Sequence, residues 1–232
     1  MDRITDHFTD DLFALPNHLA TPVRFPASRL VVDPERFEND ALEPMSGRGM
    51  GAIYTQTTLR TPLREGPSDR EREDLLDRFY RPHHRELAAA VDRSLSQHGT
   101  CLLIDAHSFP ARPLPYELDQ DPNRPDICIG TDSYHTPEWL KDLARREFVE
   151  LGCTVAVDRP FAGALVPLKH YLTDSRVSSV MIEINRGLYM SQSPQVARLD
   201  RFGAIRNDLQ HVLLRLIGDS TQGREEVLPH GA

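Results

Sequence analysis

The chain has 232 residues, charged residues make up 27% of it, and its net charge at pH 7 is -8. This length predicts one domain over residues 1–232 with a polar tail over 219–232. The acidic balance argues against nucleic acid or a membrane surface as a partner. The sequence shows no long apolar run, a charged start and only three cysteines, which predicts a cytoplasmic protein without a disulfide framework.

The first third of the chain combines one short helix with a long irregular segment. Apolar residues at helical spacing predict a helix over residues 6–15, which a proline ends. Residues 16–67 are rich in proline and glycine and contain two strand-like runs, at 30–32 and 51–54. An irregular segment of this length within one domain more often covers a site than links domains.

The rest of the chain alternates helices and strands. Ser68 and Glu71 form a capping box that begins a helix reaching Gly99, with Pro82 expected to kink or restart it. Short apolar runs predict strands over 101–104, 127–129, 154–157 and 180–184. Two further helices are expected, from Thr136 to Gly152 and from Ser193 to Gly218. This alternation predicts an α/β fold with a mixed, largely parallel central sheet flanked by helices.

Polar residues gather near the ends of the predicted strands, where α/β folds place their chemistry. The three groups are Asp105 with His107, Asp126 with Gly130, and Glu183 with Asn185 and Arg186. Asp105 and His107 point to the same side of a strand, because they are two residues apart. The imidazole can bind zinc while the carboxylate orients it; a hydrogen-bonded histidine at a strand end is the alternative.

Glu183 is a charged residue inside an otherwise apolar run, which is costly unless the charge is paired or lies at an opening. It is a candidate general base with a pKa raised by burial, and an ion pair with Arg186 is the alternative. Arg29 and Arg36 lie in the irregular segment. Arginine suits bidentate binding of a carboxylate, although loop arginines are more often solvated.

Taken together, several stretches resemble the N-formylglutamate amidohydrolase (deformylase) family, whose order they keep over nearly the whole chain. Among them are Asp-Ala-His-Ser-Phe-Pro at 105–110 and Ile-Glu-Ile-Asn-Arg-Gly-Leu-Tyr-Met at 182–190. The other matching stretches are residues 5–13, 28–33, 34–37, 49–54, 80–84 and 159–163. The resemblance implies a zinc-carboxypeptidase-like (phosphorylase/hydrolase-like) fold with one zinc ion at the strand ends.

The resemblance also implies a reaction and a role for each site residue. N-formyl-L-glutamate and water give formate and L-glutamate, a late step of one route of histidine degradation. His107 and Asp6 would bind the zinc ion, with Asp10 one helical turn from Asp6 as the alternative carboxylate. Glu183 would take the proton of the attacking water, and Arg36, together with the metal, would stabilise the oxyanion. Arg29 and Arg186 would bind the acidic substrate.

One departure from the family pattern concerns the zinc ligands. Family members begin with a strand and a Pro-His-Ser/Ala-Gly turn that supplies the first zinc histidine, and this sequence contains neither His-Ser-Gly nor His-Ala-Gly. We therefore expect a start codon assigned too late or a truncated relative. The candidate substitutes for this ligand are His7, His84, His135 and His170. A deacylase for another N-acyl amino acid, a carboxypeptidase-like hydrolase and a relative that only binds remain alternatives.

Overall fold

The structure, a computed structural model, describes residues 3–191 and 196–222. Its centre is a four-stranded sheet in the order β1-β4-β2-β3. The strands are β1 (Cys101–Phe109), β2 (Ile127–Gly130), β3 (Val155–Val157) and β4 (Val177–Asn185). β4 runs parallel to β1 and antiparallel to β2, and β2 runs parallel to β3. The predicted mixed, largely parallel sheet is therefore confirmed.

Five α-helices and a small hairpin complete the described part of the fold. The helices are α1 (Thr9–Leu12), α2 (Asp69–Leu75), α3 (Arg81–His98), α4 (Glu138–Glu150) and α5 (Phe202–Gln222). The hairpin pairs β5 (Met190–Ser191) with β6 (Ala197–Arg198). Short 3-10 turns lie at Ser46–Arg48 and Arg186–Leu188. None of the helices in these ranges combines the length and the apolar character needed to cross a bilayer.

The two faces of the sheet have different roles. One face carries the apolar residues of β2 and β4, and these pack against α4 and α5 in the main hydrophobic core. Because successive side chains on a strand alternate between faces, Asp105, His107 and Glu183 lie on the opposite face. Segment 16–67 reaches this second face and brings Glu35 within 3.7 Å of the His107 ring. The irregular segment therefore helps to cover the polar face, as predicted.

The long helical region begins as the sequence predicts. Ser68 accepts a hydrogen bond from the Glu71 amide while the Glu71 side chain accepts one from the Ser68 amide, which completes the capping box. A π-helical stretch, Leu76–Tyr80, joins α2 to α3 just before Pro82. Proline has no amide hydrogen to donate to the helix, so the irregularity lies next to Pro82, where a kink or restart was predicted. Gly99 ends α3 in the left-handed conformation, with φ 75°.

Several boundaries differ from the predictions. The first helix is a single turn rather than residues 6–15, and runs 30–32 and 51–54 form turns and bends rather than strands. Neither run pairs with a strand in the sheets formed by the described residues. The predicted start of the last helix at Ser193 lies outside the described residues, and α5 continues past Gly218.

The first strand is the most consequential difference. β1 extends to Phe109 rather than ending at residue 104, because it pairs with β4 over nine consecutive positions. Asp105 and His107 therefore lie within the strand and not in a turn after it. The grouping of Asp126 with Gly130 at one strand end was wrong. β2 runs antiparallel to β4, so Gly130 pairs with Met181, whereas the Asp126 carbonyl accepts a hydrogen bond from the Asn185 amide.

Candidate active site

His107 and Glu183 form the centre of the polar face. They are register partners on the parallel strands β1 and β4, and Cys128 on β2 is the register partner of Glu183 on its other side. Register partners share a face of the sheet, so both titratable side chains point away from the hydrophobic core. The hydrogen bonds between β1 and β4 therefore fix the separation between the backbones that carry the His107 imidazole and the Glu183 carboxylate.

Asp6 reaches the same place from the N-terminal segment. Its Oδ2 lies 3.4 Å from His107 Nδ1 and accepts a hydrogen bond from Arg29 Nη2 at 3.2 Å. Burial alone raises the pKa of Asp6. The hydrogen bond with His107 and the charges of Arg29 and Arg186 outweigh this effect and hold the pKa well below its ordinary value. Asp6 is therefore ionised, as a metal ligand must be. Asp10, the alternative ligand, points to Arg24 at the surface.

The other side of the His107 ring faces two carboxylates. Nε2 lies 2.9 Å from Asp105 Oδ1 and 3.7 Å from Glu35 Oε2. Burial lowers the pKa of His107, but the neighbouring carboxylates, with Asp105 foremost, raise it well above the ordinary value. Asp105 also accepts a hydrogen bond from the Leu165 amide at 3.1 Å. Asp105 therefore orients the ring, the role that its position beside His107 suggested.

Two places around this ring could hold a cation. Glu35, Asp105 and His107 each offer one donor atom, and these atoms lie within 4.8 Å of one another. On the other side, Asp6 Oδ2 and His107 Nδ1 are separated by 3.4 Å. Two zinc ligands at about 2.0–2.2 Å in a tetrahedral site have donor atoms roughly 3.3–3.6 Å apart. The second pair therefore matches two neighbouring zinc ligands once His107 Nδ1 carries no proton, and in that arrangement Asp105 keeps its hydrogen bond with Nε2.

The histidines considered as a further ligand have other partners. His84 Nε2 lies 2.9 Å from the Pro34 carbonyl, and His170 lies between Asp92 and Asp174. His135 interacts with the Val177 carbonyl and the Leu172 amide. His7 packs beside Phe8. Among the described residues, the carboxylates that surround the His107 ring belong to Asp6, Glu35 and Asp105, and none of these four rings joins them.

Glu183 has the features of a general base. Its side chain is buried, and Oε2 has no hydrogen-bond partner among the described residues. Burial raises the pKa of Glu183 to about 7, although the charge of His107 acts in the opposite direction. The alternative of an ion pair with Arg186 is not formed within 4.0 Å, since the described ion pair of Arg186 is with Asp6. A buried carboxylate with a free oxygen can accept a proton near neutral pH.

The three predicted arginines occupy different surroundings. Arg29 donates to Asp6 at the centre of the site. The Arg186 side chain is 5% exposed, and its nitrogens donate to Ser108, to the Arg3 carbonyl and to Asp6. Arg36 lies in a neighbouring cluster, with Nε 3.6 Å from Asp33 Oδ2 and without a hydrogen-bond partner. The structure therefore gathers Arg29 and Arg186 around Asp6 and leaves Arg36 beside them.

Two members of the cluster were missed from the sequence. Glu35 lies in a loop whose conformation has no periodic signal, although it belongs to the matched stretch 34–37. Ser108 donates hydrogen bonds to Asp6 Oδ1 from both its amide and its hydroxyl, at 2.8 and 2.9 Å. Its place directly after His107 was visible, but its contact with a residue 102 positions away was not.

A buried carboxylate beside a histidine–aspartate pair can accept a proton from water, a step that hydrolases use. Comparison with known proteins identifies the family to which the chain belongs. The family model for N-formylglutamate amidohydrolase matches residues 1–190, and the chain belongs to this family. The predicted membership and the predicted class of amidohydrolase enzymes are therefore confirmed.

Individual relatives agree with this assignment. The N-formylglutamate deformylase of Pseudomonas putida is 33% identical over 197 residues, and that of Pseudomonas aeruginosa is 29% identical over 201 residues. Each alignment covers 82% of this chain and 72% of the relative. The crystal structure of N-formylglutamate amidohydrolase from Ralstonia eutropha JMP134 has a TM-score of 0.67 and 26% identity, and covers 84% of this chain and 75% of that one. A gene product of Agrobacterium tumefaciens, 19% identical with a TM-score of 0.59 over 85% of this chain and 69% of that one, shares the fold.

Proposed function

We propose that this protein hydrolyses N-formyl-L-glutamate to formate and L-glutamate, with one zinc ion bound by Asp6 and His107. The observation that carries the proposal is the position of Glu183. Its unpartnered carboxylate oxygen lies on the face that also presents His107, in a chain of the N-formylglutamate amidohydrolase family. The named activity of the two Pseudomonas relatives supports this substrate.

Glu183 moves the proton in this reaction. Its carboxylate accepts a proton from the water whose oxygen attacks the formyl carbon. The C–N bond then breaks, and the same proton passes from Glu183 to the leaving nitrogen, which becomes the amino group of glutamate. Burial raises the pKa of Glu183 in the metal-free protein, and this direction favours a group that first accepts a proton and then donates it near neutral pH.

The sequence led us to expect that Arg36 stabilises the oxyanion and that Arg29 binds substrate. The contacts of the two arginines favour the opposite roles. Arg29 contacts the Asp6 oxygen that faces His107, so its charge is close to where the formyl oxygen becomes negative. Arg36 lies beside Asp33 and Glu43, its buried Nε has no hydrogen-bond partner among the described residues, and its side chain as a whole is 25% exposed. We assign Arg29 to the oxyanion and Arg36 to a substrate carboxylate. Arg186, nearly fully enclosed, acts on Asp6 instead of on substrate.

The metal part of the proposal rests on the donor atoms of Asp6 and His107. Their separation of 3.4 Å and their two chemical types match a zinc site. A bound zinc ion supplies an electrophile for the formyl oxygen and lowers the pKa of water. The identity of the metal, a place in histidine degradation and a cytoplasmic location are also parts of the proposal. These three parts are supported by the motif resemblance and the composition.

The test is formate release from N-formyl-L-glutamate by the purified protein, with and without added zinc. His107→Ala serves as the blank, and N-formyl-L-glutamine and N-acetyl-L-glutamate serve as comparison substrates. We expect zinc-dependent release that is lost in the blank and is fastest with N-formyl-L-glutamate. Equal rates with N-acetyl-L-glutamate would favour a broader N-acyl amino acid deacylase. Binding of N-formyl-L-glutamate without turnover at saturating zinc would overturn the proposal in favour of a relative that only binds.

A further inference from the structure

Ser108 forms hydrogen bonds with a group that can only donate and with one that can only accept, so the donor and the acceptor of each bond are known. Arg186 Nε, which can only donate, lies 3.0 Å from Ser108 Oγ. The Ser108 hydroxyl therefore accepts from Arg186 and directs its own hydrogen to Asp6 Oδ1, 2.9 Å away. The Ser108 amide donates to the same oxygen at 2.8 Å. Asp6 Oδ1 is thus held by two donors from one residue of β1.

Arg186 is fixed in turn by the backbone. Its Nη2 donates to the Ser108 carbonyl at 2.8 Å, and its Nη1 donates to the Arg3 carbonyl at 2.6 Å. All three nitrogens of the guanidinium are therefore engaged by the protein. Tyr189, three residues after Arg186, also holds this segment, because its hydroxyl donates a hydrogen bond to the His7 carbonyl at 2.9 Å. The segment that carries Asp6 is thereby attached at both sides of this residue.

The two carboxylate oxygens of Asp6 therefore have different partners. Oδ1 faces Ser108 and Arg186, whereas Oδ2 faces His107 Nδ1 and Arg29. We infer that Ser108, itself held by Arg186, is a positioning residue that fixes Asp6 so that a single oxygen, Oδ2, is presented to the metal beside His107. This inference rests on the proposed metal site and adds to it a residue that does not touch the metal.

The discriminating experiment measures zinc affinity by competition with a chromophoric chelator, using metal-free wild-type protein, Ser108→Ala and Ser179→Ala. Ser179 is the matched control. It is fully buried on the adjacent strand, and its hydroxyl donates to the Leu165 carbonyl at 2.9 Å, away from Asp6. We expect Ser108→Ala to bind zinc 10- to 100-fold more weakly, the range seen when groups that orient metal ligands are removed. Ser179→Ala should bind as wild type does.

Two further measurements separate positioning from a general loss of structure. The thermal unfolding midpoints of the metal-free Ser108→Ala and Ser179→Ala proteins should fall by similar small amounts, because each variant loses one buried hydroxyl. Ser108→Thr keeps a hydroxyl at this place and should restore most of the zinc affinity. Wild-type affinity in a folded Ser108→Ala protein would overturn the role of Ser108 alone. Absence of zinc binding by the wild-type protein would overturn the proposed metal site, and this inference with it.

Discussion

His107 and Glu183 are directly paired across the parallel strands β1 and β4. Side chains of register partners stand side by side on one face of the sheet, at the strand spacing of about 4.8 Å. The candidate metal ligand and the candidate base therefore belong to the most strongly paired part of the described sheet. Sites built on strands hold their geometry better than sites built on loops. The loops here add Asp6 from the N-terminal segment and Arg29 from the irregular segment.

Asp105 should tune metal binding through the His107 ring. We expect Asp105→Asn to weaken zinc binding by about 10-fold or more, because the ring loses its charged partner at Nε2. Competition with a chelator measures this change. Asp126→Asn is the control, since Asp126 accepts hydrogen bonds from Thr154 rather than from a site residue. An equal loss of affinity in both variants would point to general destabilisation instead of ring orientation.

Glu183 should make the metal-free protein less stable as the pH rises. Its folded-state pKa of about 7 exceeds the ordinary value of 4.5. The stability associated with its neutral form is therefore fully present below about pH 4.5 and is lost as the pH rises through about 7. Glutamine stays neutral, so Glu183→Gln should gain stability over this interval and level off above it, by at most about 3 kcal/mol.

Chemical denaturation of the metal-free proteins between pH 5 and pH 9, in the presence of a chelator, measures this gain. Glu147→Gln provides the control, because Glu147 is also buried but forms ion pairs with Arg146 and Arg215. That substitution should not stabilise the protein. A stability difference between Glu183→Gln and wild type that does not change with pH would show that burial has not raised the pKa of Glu183.

The two loop arginines should separate in their kinetic effects. Arg36→Ala is expected to raise KM for N-formyl-L-glutamate with a smaller change in kcat, since a ground-state contact with a carboxylate is lost. Arg29→Ala is expected to lower kcat by about 100-fold, the usual cost of removing an oxyanion donor. Steady-state kinetics with N-formyl-L-glutamate and the uncharged N-formyl-L-glutamine provide the measurement. If Arg36→Ala still discriminates between these two substrates as wild type does, Arg36 does not bind the carboxylate of the glutamate side chain.

Gly130 should tolerate no side chain at the end of β2. An added Cβ would lie 2.3 Å from the Gly163 carbonyl oxygen, so backbone would have to move. We expect Gly130→Ala to cost about 1–3 kcal/mol of unfolding free energy, as overpacking typically does. Gly203 in α5 has open space at the corresponding position, and Gly203→Ala should stabilise the helix by roughly 0.5–1 kcal/mol. Thermal unfolding compares the two, and equal effects would refute this steric account.

The sequence predicted the parts of this protein that depend on periodicity or on local hydrogen bonds. The helix beginning after Ser68 is an example, because its cap is complete within four residues. It did not predict the full length of β1, since Asp105 and His107 interrupt the apolar run while pairing with β4 continues through them. Strand extension was decided by a partner more than 70 residues away, which no local pattern encodes.

The site residues also differ in whether a local sequence pattern reveals them. Glu183 was found because it is a charged residue in an apolar run, and His107 because it follows a predicted strand two residues after Asp105; the structure places His107 and Glu183 side by side. The roles of the arginines were harder to assign, because segment 16–67 has no periodicity that would fix where Arg29 and Arg36 point. Ser108 was missed because its importance depends on Asp6, a contact made only in the folded chain.

The most direct test of the central claim is formate release by Glu183→Gln and wild-type protein, both at saturating zinc, with the zinc content of each sample measured in parallel. The account predicts zinc-dependent formation of formate from N-formyl-L-glutamate by the wild-type protein. It predicts equal zinc content in the variant and a rate at least about 100-fold lower, because only the group that takes the proton has been removed. Wild-type turnover by Glu183→Gln would contradict the account.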